Sequence, residues 1–250
     1  MGSKATKTKK QEKPNKLYYG DNLEVLRKYI KDESVDLCYI DPPFNSNRNY
    51  SQIYLNKGQE DKAQAQAFID TWTWDKVAEN GYNEIIENEK DRFSPQTVLL
   101  IEGLQKVLGN DSLLAYLIHI TLRVVEIQRV LKPTGSFYLH CDPTASHYLK
   151  IILDSVFCGN GGEFLNEIVW RYQTGGVSKK WFGKKHDTIL LYTKSDKYKF
   201  YPERVLVPRT EEVLRRIKSG VKGATRAETM DKLPDDVFEI QALNAMAKER

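Results

Sequence analysis

Apolar positions recur along this chain with two periods, and the alternation between them outlines an α/β fold. Residues 22–29 have helical spacing, and Val35, Leu37, Cys38, Tyr39 and Ile40 form a short apolar run expected of a buried strand. Leu17, Tyr18 and Tyr19 are β-prone and predict a further short strand ahead of that helix. Residues 45–111 break the rhythm: they are polar, with Tyr50, Tyr54, Trp72 and Trp74 interspersed, and read as an insertion rather than core sheet. The longest helix is expected over 112–131, where Leu113, Leu117, Ile120, Val124, Ile127 and Leu131 recur at three- and four-residue steps. Lys132-Pro133-Thr134-Gly135 stops it, and 136–140 forms the next strand. A helix over 145–156, a strand over 167–170, a Gly175-Gly176 loop and a strand over 188–193 complete the pattern. The alternation predicts a doubly wound, mostly parallel sheet with a late antiparallel pair. From about residue 197 the sequence turns basic and less regular, as expected of a small separate subdomain.

The strand over 35–40 runs straight into Asp41-Pro42-Pro43-Phe44. Ligand sites of open α/β sheets lie just beyond the carboxyl ends of the strands. An acid, two prolines and an aromatic at that place suit a flat base carrying an exocyclic amino group. The acid accepts one N–H, while proline has no donor and its fixed φ aims a carbonyl at the second. The aromatic offers a face for stacking. An ordinary Asp-Pro turn is the alternative, and the apolar strand before it argues against that.

Charge changes the picture only when it is divided. The formal net charge of +4 conceals a tail, residues 1–16, with six lysines and one acid. The rest is close to neutral, yet 171–226 carries fifteen Lys/Arg against five Asp/Glu. That asymmetry points to a basic surface facing a polyanion, with a lysine-decorated solvated face as the alternative. Within it Arg171, Lys179, Lys180, Lys184 and Lys185 surround Trp181 and Phe182. Phosphate contacts from these cations and a DNA-facing aromatic form one reading; a surface hairpin with Trp181 packed on the sheet is the other. No run approaches eighteen apolar residues, so no membrane span or membrane partner is expected. Cys38, Cys141 and Cys158 lack metal-ligand spacing and read as reduced thiols of a cytoplasmic protein. No metal site is expected.

Gly20-Asp21-Asn22-Leu23, 40–45, 129–142, 167–172 and 186–195 together resemble, in order, the permuted (beta) class of S-adenosylmethionine-dependent DNA amino-methyltransferases. The resemblance covers roughly residues 17–200. It implies a Rossmann-like methyltransferase sheet over 17–196, a target-recognition region beginning within 197–250, and a disordered lysine-rich tail over 1–16. It makes Asp41, Pro42, Pro43 and Phe44 the catalytic turn: Asp41 and the Pro42 carbonyl hold the target amino group, and Phe44 stacks on the base. It sets Asp21, Asn22 and Asp41 beside S-adenosylmethionine. For Asp21 a helix N-cap is the competing role, and the two can coexist. His140 and Asp142 end a strand at the same sheet edge as Asp41 and are expected to line its pocket.

The resemblance implies methyl transfer to a base flipped out of double-stranded DNA, adenine N6 or cytosine N4, in a restriction–modification setting. An Asp at the first motif position leans toward adenine, where cytosine enzymes more often carry Ser, and Phe44 in place of the commoner Tyr weakens that lean. A homodimer or a cognate restriction endonuclease is the expected protein partner. Cytosine carbon-5 chemistry, which needs a cysteine nucleophile usually placed after proline, is excluded because no Pro-Cys pair exists.

Relatives carry a Phe-x-Gly-x-Gly loop for the cofactor. Phe157-Cys158-Gly159-Asn160-Gly161-Gly162 imitates it, but follows a helix and precedes a strand, so a helix C-cap and turn is expected there. The chain therefore reads as C-terminally truncated relative to the family, without most of the cofactor half. A DNA-binding fragment inactive by itself is one competing function; a protein-glutamine or RNA methyltransferase using a related turn is another.

Overall fold

A computed structural model describes residues 15–43, 48–51, 55–56, 59–60, 66–70, 72–173, 179–219 and 229–240, the segments within 48–70 as backbone only. Helix α1 (Asn22–Tyr29) leads into strand β1 (Val35–Ile40), followed by β2 (Arg48–Ser51), β3 (Leu55–Asn56), β4 (Gln59–Glu60) and β5 (Gln66–Asp70). Helices α2 (Lys76–Glu87), α3 (Pro95–Leu108) and α4 (Ser112–Val130) come next, then β6 (Leu131–Cys141), α5 (Ser146–Phe157), β7 (Glu163–Arg171) and β8 (His186–Thr193). The basic region holds β9 (Val207–Pro208), α6 (Glu211–Ser219), β10 (Asp231–Lys232) and β11 (Val237–Glu239).

The main sheet has the order β1-β6-β8-β7-β11. β1 with β6 and β7 with β11 pair in parallel, whereas β8 is antiparallel to both neighbours, so four strands share one direction and β8 opposes them. Local chemistry fixes the helix starts. Asp21, Asp75, Ser94 and Asp111 each accept a backbone N–H of the helix they precede, and Pro95 occupies the first turn of α3.

Helices α1 to α5 pack on one another and share a core with one face of the sheet. Leu114, Leu117 and Ile118 of α4 and Leu149, Ile152 and Leu153 of α5 are fully buried against Phe137, Leu139, Cys141, Leu190 and Tyr192. Phe137 stacks on Phe157 with ring centroids 5.3 Å apart. The helices over 76–87 and 95–108 were not expected from the spacing, yet Ile85 and Ile101 are completely buried in this core. Trp72 and Trp74 pack against it. The expected strand at 17–19 does not form. Leu17 and Tyr19 are fully exposed and Tyr18 stacks on Tyr29, because these residues join no ladder that could satisfy an extended backbone.

Buried Glu126 ties α1 and the turn between α2 and α3 to α4. Arg27 Nε of α1 lies 3.2 Å from its carboxylate, and Arg129 Nε of α4 2.6 Å, while Arg92, in the turn between α2 and α3, lies 3.8 Å away. Arg129 also donates to the Leu26 and Ile30 carbonyls at the end of α1, at 2.8 and 3.3 Å. The Phe157–Gly162 segment is a turn, as expected. Gly161 takes φ +83°, Gly162 N donates to Phe157 O at 2.9 Å, and a Cβ on Gly162 would sit 2.3 Å from Thr193 O. Backbone that closely packed is closed to a ligand.

Candidate active site

Strands β1 and β6 end together because their parallel register sets Ile40 beside Leu139. One residue further, Asp41 meets His140, and Nδ1 lies 2.9 Å from Asp41 Oδ1. β8 starts at the same end, since its antiparallel register sets Ile189 beside His140 and Thr188 beside Cys141. Asp187, two residues before Ile189 and on the same face, brings Oδ2 to 3.5 Å from His140 Nε2. Tyr172, just past β7, donates its hydroxyl to Asp187 Oδ1 at 3.3 Å. Trp170 lays its ring at a tilt over His140, centroids 5.5 Å apart. The result is a line of groups, Tyr172–Asp187–His140–Asp41, across four strand ends.

The two ends of the line differ in exposure. The His140 side chain is 6% exposed and that of Asp41 58%. Among the described residues only His140 bonds the Asp41 side chain, through Oδ1, and most of that side chain is exposed. Burial opposes charge on His140, yet the bond from Asp187 and the charges of Asp41 and Asp187 outweigh it, and the imidazole titrates above its ordinary value. Burial, then Asp187, likewise raises the Tyr172 phenol. Pro42 and Pro43 are half-buried beside Asp41 and contribute no N–H. Phe44 lies outside the described residues, as do Tyr54 and the side chain of Tyr50.

Asp142 does not join the line. It folds back on its own turn, accepting from Thr144 N at 3.1 Å and Thr144 Oγ1 at 3.0 Å. The nearby thiols are held protonated. Burial pushes Cys38 up to about 11 and Cys141 higher still, so neither supplies a thiolate at neutral pH.

Asp21 caps α1, with Leu23 N 2.7 Å from Oδ1. Arg123 of α4 holds the same carboxylate at 3.2 and 3.0 Å and donates from Nε to Asn22 Oδ1 at 2.6 Å. Burial lowers the Arg123 pKa despite that partner. While α1 ends against Arg129, its first residues meet Arg123, about 9 Å up α4 at 1.5 Å per residue. Asp21 therefore lies toward the end where β1 finishes. Arg123 was not anticipated, and its one signal is a cation on the polar flank of an apolar stripe. His119 packs its ring 4.5 Å from Trp72, and burial followed by Arg123 lowers its pKa.

The basic loop rises from the same sheet end. Tyr172 N bonds Lys185 O at 3.0 Å, extending the β7–β8 hairpin, and Lys185 is half-buried two residues before Asp187. Lys179, Lys180 and Lys184 are exposed, with Trp181 at 66% and Phe182 at 99%. Arg171 points elsewhere and pairs with Glu239 of β11. A separate cleft of about 440 Å³, lined by Arg27, Asn80, Glu84 and Arg92 among others, shares no residue with the Asp41 group. Among the described residues no cluster of His, Cys, Asp or Glu could hold a metal ion, and no helix is long and apolar enough to cross a membrane.

A family model described as DNA methylase, of the N6/N4 methyltransferases, matches residues 35–250. Among curated proteins, the type II methyltransferase M.BglII of Bacillus subtilis is 26% identical over 229 residues, 90% of this chain and 48% of that protein. The DNA adenine methyltransferase YhdJ of Escherichia coli is 23% identical over 235 residues, 93% of this chain and 60% of its own. Among solved structures, the cytosine-N4-specific PvuII DNA methyltransferase is 13% identical with a TM-score of 0.45, covering 92% of this chain and 58% of that one. The chain thus spans about half the length of the relatives it matches. With the family model covering most of its residues, this chain belongs to the N6/N4 DNA methylase family.

Proposed function

We propose that this chain carries the amino-group site of an S-adenosylmethionine-dependent DNA methyltransferase that modifies adenine at N6. One observation carries the reading: an outward-facing carboxylate, Asp41, stands at the C-terminal end of β1 with one oxygen tied to His140 and two prolines following it. Exposed Lys179, Lys180, Lys184, Trp181 and Phe182 at the same end support double-stranded DNA as the partner.

The residue roles follow from chemistry. A base amino group inside a duplex is out of reach, so the nucleotide is flipped into the site, at a cost of a few kcal/mol of unstacking. Asp41 Oδ2 accepts one amino N–H and the Pro42 carbonyl the other. Both bonds favour a pyramidal nitrogen and offset its growing positive charge. Phe44 stacks on the base. No thiolate is needed, in keeping with the protonated Cys38 and Cys141.

The residues fit S-adenosylmethionine at one anchor. Asp21 is 52% exposed, lies toward the Asp41 end and, with Asn22, offers acceptors for the cofactor's adenosine half. The glycine turn at 159–162 follows a helix and is closed at Gly162, where a Cβ would meet Thr193 O at 2.3 Å, so it is assigned no part in such a site. When bound, the cofactor supplies an electrophilic methyl group on a sulfonium. Association with a restriction endonuclease belongs to the same reading, supported by a relative named as the Mod subunit of a restriction-modification enzyme.

Phe44 favours a second reading, cytosine N4, because Tyr is the commoner partner of Asp41 in adenine enzymes. Mass analysis of nucleosides from DNA methylated by the protein separates them. N6-methyladenine is expected; N4-methylcytosine moves the assignment to the second reading. Asp41→Ala should abolish methyl transfer, and turnover retained in that variant removes Asp41 from its role.

A further inference from the structure

We infer that His140 is a positioning residue that clamps Asp41 Oδ1 through Nδ1 and so presents Oδ2 to the target amino group. The inference rests on the reading of Asp41 as amino-group acceptor. A carboxylate at the tip of a strand, 58% exposed, is otherwise free to rotate about its side-chain bonds. His140 lacks that freedom. It is 6% exposed, its ring faces Trp170, and Asp187 stands 3.5 Å from the nitrogen opposite Asp41. Asp187 is fixed in turn by the Tyr172 hydroxyl at 3.3 Å, and Trp170 by its indole N–H to Ile240 O at 2.7 Å. Rigidity thus passes from β7 and β8, through the imidazole, to the residue after β1.

The alternative is a buried histidine satisfied by whatever lies near. Two features argue against it. Carboxylates flank both ring nitrogens, at 2.9 and 3.5 Å, and favour a proton on Nδ1 that makes the ring the donor to Asp41. The raised pKa agrees with that state. Among the described residues the ionisable groups at the ring nitrogens are Asp41 beyond β1 and Asp187 of β8, with Tyr172 behind Asp187; Asp142, just past β6, is turned to its own loop.

Misplacing a reacting group by about 1 Å costs on the order of 100-fold in rate, so His140→Ala should lower kcat by about that factor and leave the KM for DNA within about threefold. His140→Asn is the decisive companion, because its amide nitrogen can take the place of Nδ1. It should recover kcat to within about tenfold of the wild type by restoring that hydrogen bond to Asp41. A loss in His140→Asn as deep as in His140→Ala, or an unchanged kcat in His140→Ala, overturns the inference.

Nitrogen-15 NMR of the histidine ring gives a readout independent of turnover. The ring should titrate above an unperturbed histidine, and Asp41→Asn and Asp187→Asn should each lower the midpoint. A singly protonated ring whose midpoint ignores Asp41→Asn also overturns it. Failure of the underlying reading has a different signature: turnover retained in Asp41→Ala while the NMR link between His140 and Asp41 persists.

Discussion

Successive residues of β6 face two different environments. Phe137, Leu139 and Cys141 are fully buried against the helix layer, whereas Ser136, Tyr138 and His140 point to the opposite face. Its neighbours repeat the division. Cys38 and Ile40 of β1 and Leu190 and Tyr192 of β8 pack with the helices, while Leu37 and Tyr39 are exposed and Leu191 lies outside the core cluster. One face is held by contact area and the other carries charge, hydrogen bonds and the candidate chemistry. Because strand side chains alternate with period two, a one-residue slip in the β1–β6 register would exchange the faces and separate Asp41 from His140. The apolar face therefore acts on the site through register, without touching it.

The largest effect should come from breaking the packed face. Phe137→Ala removes a fully buried ring that stacks on Phe157, and such truncations cost about 3–5 kcal/mol. Urea denaturation should show a lower midpoint of that size, with the slope unchanged. A loss below about 1 kcal/mol would mean that this face does not anchor the sheet as its burial implies.

How much of this was legible depended on what each feature rests on. The bounds of α1 and β1 followed from apolar spacing alone, since each is a short element with an unambiguous period. Helices α2 and α3 were missed inside a polar stretch because their burial is confined to a few positions, Ala78, Gly81 and Ile85 in one and Thr97 and Ile101 in the other. Three-residue β11 carries too little pattern to be read, and its place beside β7 is a tertiary outcome. Asp41 was legible because acid and prolines are adjacent in the chain. Its partners were less so: His140 is 99 residues away, and only strand register reveals that Asp187 stands across from it. The available signal, a histidine and an acid ending one strand, placed His140 and Asp142 near the pocket, and the structure turns Asp142 to its own loop.

The site face should respond to pH where the packed face does not. The folded pKa of His140 is raised, so its stabilising contribution is fully present below the unfolded value of about 6.5 and is lost as pH rises through the folded value. Asp187→Asn removes the carboxylate charge that faces His140 Nε2 at 3.5 Å. The Tm gap between wild type and Asp187→Asn should therefore be widest near pH 6 and narrow toward pH 9. Phe137→Ala should keep the same deficit at both. A constant gap for Asp187→Asn would mean that Asp187 serves packing rather than the charge of the imidazole.

The smallest effect belongs to the apolar residues on the site face. Tyr39 is 51% exposed and pairs in register with Tyr138 on β1, which lies at the edge of the sheet among the described residues. A residue so placed contributes little buried area, so Tyr39→Ser should change stability by no more than about 0.5 kcal/mol, although it removes more apolar surface than many core substitutions. Exposed apolar groups on an edge strand promote association with other chains. The same substitution should then reduce self-association in sedimentation experiments at high concentration while the urea midpoint stays put. A destabilisation approaching that of Phe137→Ala would show that Tyr39 is covered in solution, and the contrast between the two faces would have to be redrawn around whatever covers it.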